Sequence, residues 1–285
     1  MQITKEQVKA WHACTDGFRW FLAKFPQGGA YADVHGALIA DKRFDDARWL
    51  VDKMYRTHLD KAEFIQAETA ATDKMVGELT SMEHPSDQVE GENSSGDDAR
   101  IGSSGYNARI GSSGNYAQIG SSGYNAQIGS SGYNAQIGSS GNYAQIGSSG
   151  NYARIGSSGY NARIGSSGYN AQIGSSGNYA QIGSSGNYAR IGSSGYNARI
   201  GSSGNYARIG SSGYNARITA SGKGSVVASA GSVERIVLGE GGCASVPWHD
   251  GSRTRIAVAY VGENGIEANT PYYVNDEGQF VKVEE

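Results

Sequence analysis

From Ile101 to Ile218 an isoleucine stands at every ninth position, with alanine two residues before it and Gly-Ser-Ser-Gly after it in all but the last unit. The unit Ala-[Arg/Gln]-Ile-Gly-Ser-Ser-Gly-[Tyr-Asn or Asn-Tyr] runs without insertion from Ala99, and Val227 and Ile236 keep its phase after the motif decays. A short fixed period punctuated by glycine marks a solenoid extending to about residue 238. Nine residues are too few to enclose a core, whereas eighteen make two short strands and two turns, the parallel β-roll arrangement. The variable position supports eighteen independently, because it comes in matched pairs: Arg100 with Arg109, Gln118 with Gln127, Gln136 with Gln145, Arg154 with Arg163, Gln172 with Gln181, Arg190 with Arg199.

Strand alternation puts Ala and Ile on the inward face and Arg or Gln on the outward one. Gly-Ser-Ser-Gly is expected to supply the turns, with glycine free to take positive φ and serine bonding locally. Every second repeat, Tyr-Asn and Asn-Tyr largely alternate, as at Tyr124, Tyr143, Tyr160, Tyr179 and Tyr196. In coils stacked about 4.8 Å apart, that alternation staggers rings that would otherwise lie directly over one another.

Before the repeat the hydrophobic period changes from two to 3.6. Thr4 and Gln7 form a capping-box pattern, and Val8, Trp11, Phe18, Phe21 and Phe25 follow at helical spacing, with Asp16-Gly17 as a candidate break. Ala32–Ala40, Asp45–Met54 and about 60–80 read as further helices, making a domain of four or so. Residues 81–98 are acidic and turn-rich and read as a linker. After Gly239, strands are expected at Thr254–Val261, Pro271–Val274 and Phe280–Val283, a β-rich cap for the open solenoid end. The expected architecture is therefore mainly β: a two-sided parallel β-solenoid of about 18 residues per coil over 99–238. A helical domain at 1–80 precedes it, the linker 81–98 joins them, and a small β cap at 239–285 follows.

Charge divides along the same boundaries. Residues 1–98 carry 11 basic and 18 acidic groups, 99–217 carry 8 arginines and no acid, and 218–285 carry 5 basic and 9 acidic groups. The acidic helices and basic solenoid are suited to bind each other, within one chain or head-to-tail, or the helices to face a basic site on a target. No apolar run approaches a membrane span and Met1–Lys9 has no signal-peptide core, so a cytoplasmic protein is the expectation. Cys14 and Cys243 sit in different modules and read as reduced thiols.

No catalytic constellation emerges. The five histidines show no metal spacing, the repeat lacks the aspartates of a calcium β-roll, and its glycines form no phosphate loop, so neither metal nor cofactor is expected. The chemistry that remains is recognition. Arginine and tyrosine on a β ladder suit a protein surface or the phosphates and bases of nucleic acid, and Arg154, Arg163, Arg190, Arg199, Tyr179 and Tyr188 are the candidate binding residues. The same side chains also serve simply to keep a rod soluble and packed.

Trp11-His-Ala-Cys-Thr-Asp-Gly-Phe-Arg-Trp-Phe21, Arg43-Phe-Asp-Asp-Ala-Arg-Trp-Leu50, the Ile-Gly-Ser-Ser-Gly repeats and Ala257-Val-Ala-Tyr-Val-Gly-Glu-Asn264 together resemble uncharacterised repeat proteins of phages, prophages and gut bacteria. The rod is also similar to pentapeptide-repeat DNA mimics in being a thin solenoid, but departs from their acidic surface. The resemblance implies a phage-encoded accessory protein that binds and inhibits a host defence or nucleic-acid-handling protein. A structural homo-oligomeric spacer or particle component, and direct nucleic-acid binding, are the alternatives.

Overall fold

The computed structural model describes residues 1–80 and 95–284; the linker expected at 81–98 lies largely outside the described residues. The rod is a two-sided β-solenoid of about eight coils, eighteen residues each, whose strands form two ten-stranded sheets. From Arg100 to Ser211 strands pair in parallel with every residue opposite its equivalent eighteen places on, as Ile155 opposes Ile173 and Ile164 opposes Ile182. Alanine at 0% and isoleucine at no more than 6% exposure fill the interior as expected.

The turns differ from expectation. Gly-Ser belongs to the strand, the first serine of each pair faces the interior, and only Ser-Gly and the following dipeptide make the corner. The left-handed residue is the second member of the Tyr/Asn pair, with φ of 54–60° from Asn107 to Asn215. Its N–H donates to the carbonyl of the first member one coil on, as Tyr116 does to Tyr133 at 2.8 Å. Where the motif decays to Lys223-Gly224, a glycine takes that position at φ 64°.

The corner glycine serves another purpose. A Cβ on Gly159 would stand 1.9 Å from the carbonyl oxygen of Gly141, and one on Gly177 1.9 Å from that of Gly159. Coils stack at β-ladder spacing only because this column has no side chain. The column begins one unit early, since Gly114 meets Gly96 in the same way and Asp98 holds φ 57°.

Dipeptide order sets tyrosine packing. Consecutive tyrosines in the same position stack nearly parallel, at 10°, 20° and 21° for Tyr106–Tyr124, Tyr188–Tyr206 and Tyr196–Tyr214. Alternating positions tilt the rings by 57–72° with centroids 5.1–6.3 Å apart. Asparagine in the first position also satisfies the backbone: Asn115, Asn142, Asn151 and Asn178 each accept the N–H of the tyrosine eighteen residues on, and Asn187 accepts that of Asn205.

Five helices precede the rod: α1 (Lys5–Ala10), α2 (Thr15–Lys24), α3 (Tyr31–Ala40), α4 (Phe44–His58) and α5 (Ala62–Thr80). The capping box at Thr4 and Gln7 is present. The first break falls at Trp11–Cys14, where His12 takes φ 58°, and Gly17 lies inside α2 with its N–H on Cys14 Sγ. Two short strands not foreseen, Gln2–Ile3 and Gly29–Ala30, pair antiparallel.

At the far end, Cys243–His249, also unforeseen, extends one sheet in parallel and then pairs antiparallel with Thr254–Tyr260. Pro271–Val274 and Phe280–Lys282 close the other sheet antiparallel.

Gly159→Ala is expected to destabilise the rod by about 2 kcal/mol or more through forced backbone displacement. Gly156→Ala, whose Cβ enters open space, is expected to be neutral or stabilising by about 0.5 kcal/mol. Thermal unfolding of the two variants checks this, and equal losses would contradict it.

Candidate binding surface

Because a coil closes in eighteen residues, units nine apart fall on opposite sheets. Their sequences are the same, but their surroundings are not. The helical domain lies across one sheet, from Arg109–Ser112 to Val233–Leu238, and leaves the other, from Arg100–Ser103 to Val226–Ser229, uncovered among the described residues. Gln127, Gln181 and Arg199 on the covered sheet are 6–7% exposed, whereas Gln118, Gln172 and Arg190 on the open sheet are exposed.

The contact is built by α5. Its Ile65, Thr69, Thr72, Val76 and Leu79 recur every three to four residues and lie on the strand glycines: Ile65 on Gly201, Thr69 on Gly183, Thr72 on Gly165, Thr72 and Val76 on Gly147, and Leu79 on Gly129 and Gly111. A helical turn rises about 5.4 Å and a coil about 4.8 Å, so the helix meets the glycine column at nearly one turn per coil. A Cβ on Gly147 would come within 2.5 Å of Thr72 Cγ2, so the helix sits where only glycine permits.

Charge fixes the register. Arg163 reaches into the interface, ion-pairs with the buried carboxylate of Glu68, donates to Tyr31 Oη at 3.1 Å and lies 2.8 Å from His35 Nε2. Tyr31 donates to the other oxygen of Glu68 at 2.6 Å. A guanidinium only donates, so His35 Nε2 accepts and the ring is neutral. Burial, reinforced by the Arg163 charge, holds the His35 pKa well below its ordinary value. Burial also pushes Tyr31 well above its own, with Arg163 opposing and Glu68 assisting. Burial opposes the charge on Arg163 too, but the Glu68 carboxylate together with the Tyr31 and Tyr55 hydroxyls outweighs it, and the guanidinium stays ionised.

Further pairs run along the same seam: Arg199 with Asp52 at 2.6 Å, Arg235 with Asp60 at 2.7 Å, and Ser167 Oγ donating to Asp73 at 2.8 Å. Arg48 of α4 sits 4.2 Å over the Tyr143 ring.

The six residues singled out by sequence therefore do not form one surface. Arg163 and Arg199 are engaged beneath the helical domain, Arg154 and Arg190 stand exposed on the open sheet, and Tyr179 and Tyr188 lie on opposite edges of the rod. Sequence reasoning missed Glu68, Tyr31, His35 and Asp52, which hold the interface. The available signal was the stripe Ile65, Thr69, Thr72, Val76, Leu79, small or branched enough to sit on glycine.

The open sheet repeats the covered one without a cover. A trough floored by the strand glycines from Gly102 to Gly210 runs along it, and a Cβ at any of them meets no described atom within 4 Å. Arg100, Arg154, Arg190 and Arg208 flank the floor with no carboxylate partner among the described residues. Register then continues the face into Val226, Tyr260, Val258 and Ile256, exposed by 44–55%. Among the described residues no group of three or more His, Cys, Asp or Glu is placed to hold a metal, and no helix is long and apolar enough to cross a membrane.

Glu68→Gln, which leaves Arg163 buried without its counter-charge, is expected to weaken docking of the helical domain by about 3–5 kcal/mol. Arg154→Gln, on the open sheet, should change stability by no more than about 0.5 kcal/mol. Acid should loosen the same seam. His35 and His58 both have depressed folded pKa values, so their contribution is present above the ordinary value of 6.5 and is lost as pH falls from there toward the folded values. The hydrogen-exchange protection of α5, taken relative to the intrinsic rate at each pH, should fall from pH 7 to 5, and His35→Gln should flatten that fall; pH-independent protection would contradict the assignment.

Residues 1–59 match the YdhT N-terminal domain family, a stretch that ends one residue past α4 and leaves α5 outside it. The uncharacterised protein YdhT of Escherichia coli (strain K12) is 39% identical over 75 residues, 26% of this chain and 28% of that protein. The chain thus spans little more than a quarter of the length of that relative. No solved structure matches. An N-terminal domain shared with an uncharacterised bacterial protein is what these similarities establish.

Proposed function

We propose that the chain is a non-enzymatic binding protein whose rod offers its open sheet to a protein partner while its own helical domain occupies the other. One observation carries the reading: two sheets of the same repeated sequence, one used as a docking surface and the other uncovered among the described residues. Strand glycine weakens a sheet, and on the covered side that cost is offset by close approach of a helix. The open side keeps the same glycines, and its arginines have no carboxylate partner among the described residues. On this reading the partner is a host protein, a defence or nucleic-acid-handling factor that the chain inhibits, as the resemblance to phage and prophage repeat proteins implies.

A second reading, self-association into a homo-oligomer, is favoured by the strand Thr254–Tyr260, which pairs on one side only among the described residues and exposes Ile256, Val258 and Tyr260. Nucleic-acid binding by the exposed arginines and tyrosines is a third, and predicts a steep loss of affinity with salt.

Photo-reactive side chains placed at Gln136 and Gln172, in the full chain inside bacterial cells, separate these readings. The expected outcome is a discrete protein adduct that survives nuclease and falls several-fold with Arg154→Glu plus Arg190→Glu. An adduct with the chain itself or with nucleic acid, or none at all, would contradict the proposal.

A further inference from the structure

The covered sheet shows what kind of object the repeated surface accepts, and the open sheet presents that surface again. We propose that the open sheet receives an acidic amphipathic α-helix of a partner protein, laid along the glycine floor as α5 lies along the covered one; this rests on the reading of the open sheet as a protein-binding face.

Three observations converge on a helix. The first is the matched chemistry of the two tracks. Arg154 and Arg163, Gln172 and Gln181, Arg190 and Arg199 are paired unit by unit, each followed by Ile-Gly-Ser. On one track the arginines hold the helical domain, with Glu68 of α5 on Arg163 and Asp52 of the adjacent α4 on Arg199.

The second is dimension. From Gly102 to Gly210 the floor rises six coils, about 29 Å at β-ladder spacing. The nineteen residues of α5 span about 28 Å. A floor without Cβ atoms admits a helix backbone closely, whereas an extended strand would gain no ladder hydrogen bonds from the face of a sheet.

The third is charge and the apolar end. Four arginines without described carboxylate partners disfavour a second open sheet placed face to face, because like charges would meet with no acid between them. An acidic helix neutralises them. At the cap end Val258 continues the glycine row and Val226 and Tyr260 the arginine row, and with Ile256 they form an exposed apolar patch suited to larger aliphatic side chains at one end of the helix.

The geometry also specifies the helix. Arg190 and Arg208 are one coil apart, which matches carboxylates three or four residues apart. Arg154 and Arg190 are two coils, about 9.6 Å, apart, which matches a spacing of six or seven residues. Between them the face on the floor should carry Ala, Thr, Val or Leu every three to four residues, as α5 does.

The test uses the full chain and, as probe, a fluorescent peptide with the sequence of residues 62–80. Because a free helix of this length is marginal in water, a second version is stapled on the face opposite Ile65, Thr72 and Leu79. Anisotropy titrations should show saturable binding that weakens at least tenfold with Gly156→Val plus Gly174→Val, whose new side chains enter open space and leave the α5 contacts intact. Binding should also weaken at least fivefold with Arg154→Glu plus Arg190→Glu, or when the probe carries Lys at its Glu68 position.

No binding of the stapled probe at millimolar concentration, or binding unaffected by the open-sheet valines, would overturn the proposal. So would single-stranded DNA that binds directly and is weakened by the same valines while the probe does not bind. Self-association seen by light scattering and abolished by the valines would assign the face to a second copy and overturn it too. If the photo-adduct at Gln172 forms with a protein while the stapled probe fails, the helix assignment falls and the protein-binding reading stands.

Discussion

Everything in the rod depends on how closely one coil's backbone approaches the next at the corner. The corner glycine of each unit sits against the carbonyl of its equivalent eighteen residues earlier with no room for a single carbon. That contact sets the coil rise to the spacing of a β ladder, and the other repeat positions follow from it. Alanine and isoleucine stack into a narrow core, the left-handed residue turns the chain, and asparagine side chains take up backbone donors between coils. Each isoleucine buried in this way contributes about 1.5–3 kcal/mol, collectively enough to hold a regular coil once neighbours cover it on both sides.

The same rise explains how a helical domain lies on the rod. A coil of about 4.8 Å and a helical turn of about 5.4 Å are near enough that one helix engages successive strand glycines over most of its length. The buried cluster of Arg163, Glu68, Tyr31 and His35 adds little net stability on its own, since desolvating charges offsets their attraction, but it penalises any other register. Repetition makes every coil a possible seat; the ion pairs choose one. Among the described residues the sheet facing α5 alone is used in this way, which makes the two sides of a repetitive rod unequal in their surroundings.

The period, the eighteen-residue coil, the inward Ala/Ile faces, the capping box and the C-terminal strands Thr254–Tyr260 and Pro271–Val274 were all legible in the sequence, because each rests on local pattern. The corner was misread because Asn-Tyr and Tyr-Asn carry no glycine, yet asparagine or tyrosine takes φ near 57° there. Gly96-Asp97-Asp98-Ala99 already held the glycine column one unit before the isoleucines began.

The docking interface was opaque for a different reason. Nothing local tells Arg163 from Arg154, and only the long-range placement of α5 buries one and exposes the other. The coil length nonetheless implied that residues nine apart face opposite ways, so Arg154 and Arg163 never belonged to one surface. The acidic domain and basic rod were readable as complementary, but whether they met within one chain was not.

Thiol accessibility measures the inequality of the two sheets directly. With Cys14 and Cys243 replaced by serine, single cysteines are placed at Gln118 or Gln172 on the open sheet and at Gln127 or Gln181 on the covered one. Labelling of the first pair should match that of an unprotected thiol, and the second pair should react at least a hundredfold more slowly until urea releases the helices. Equal rates at all four positions in the native chain would contradict the account.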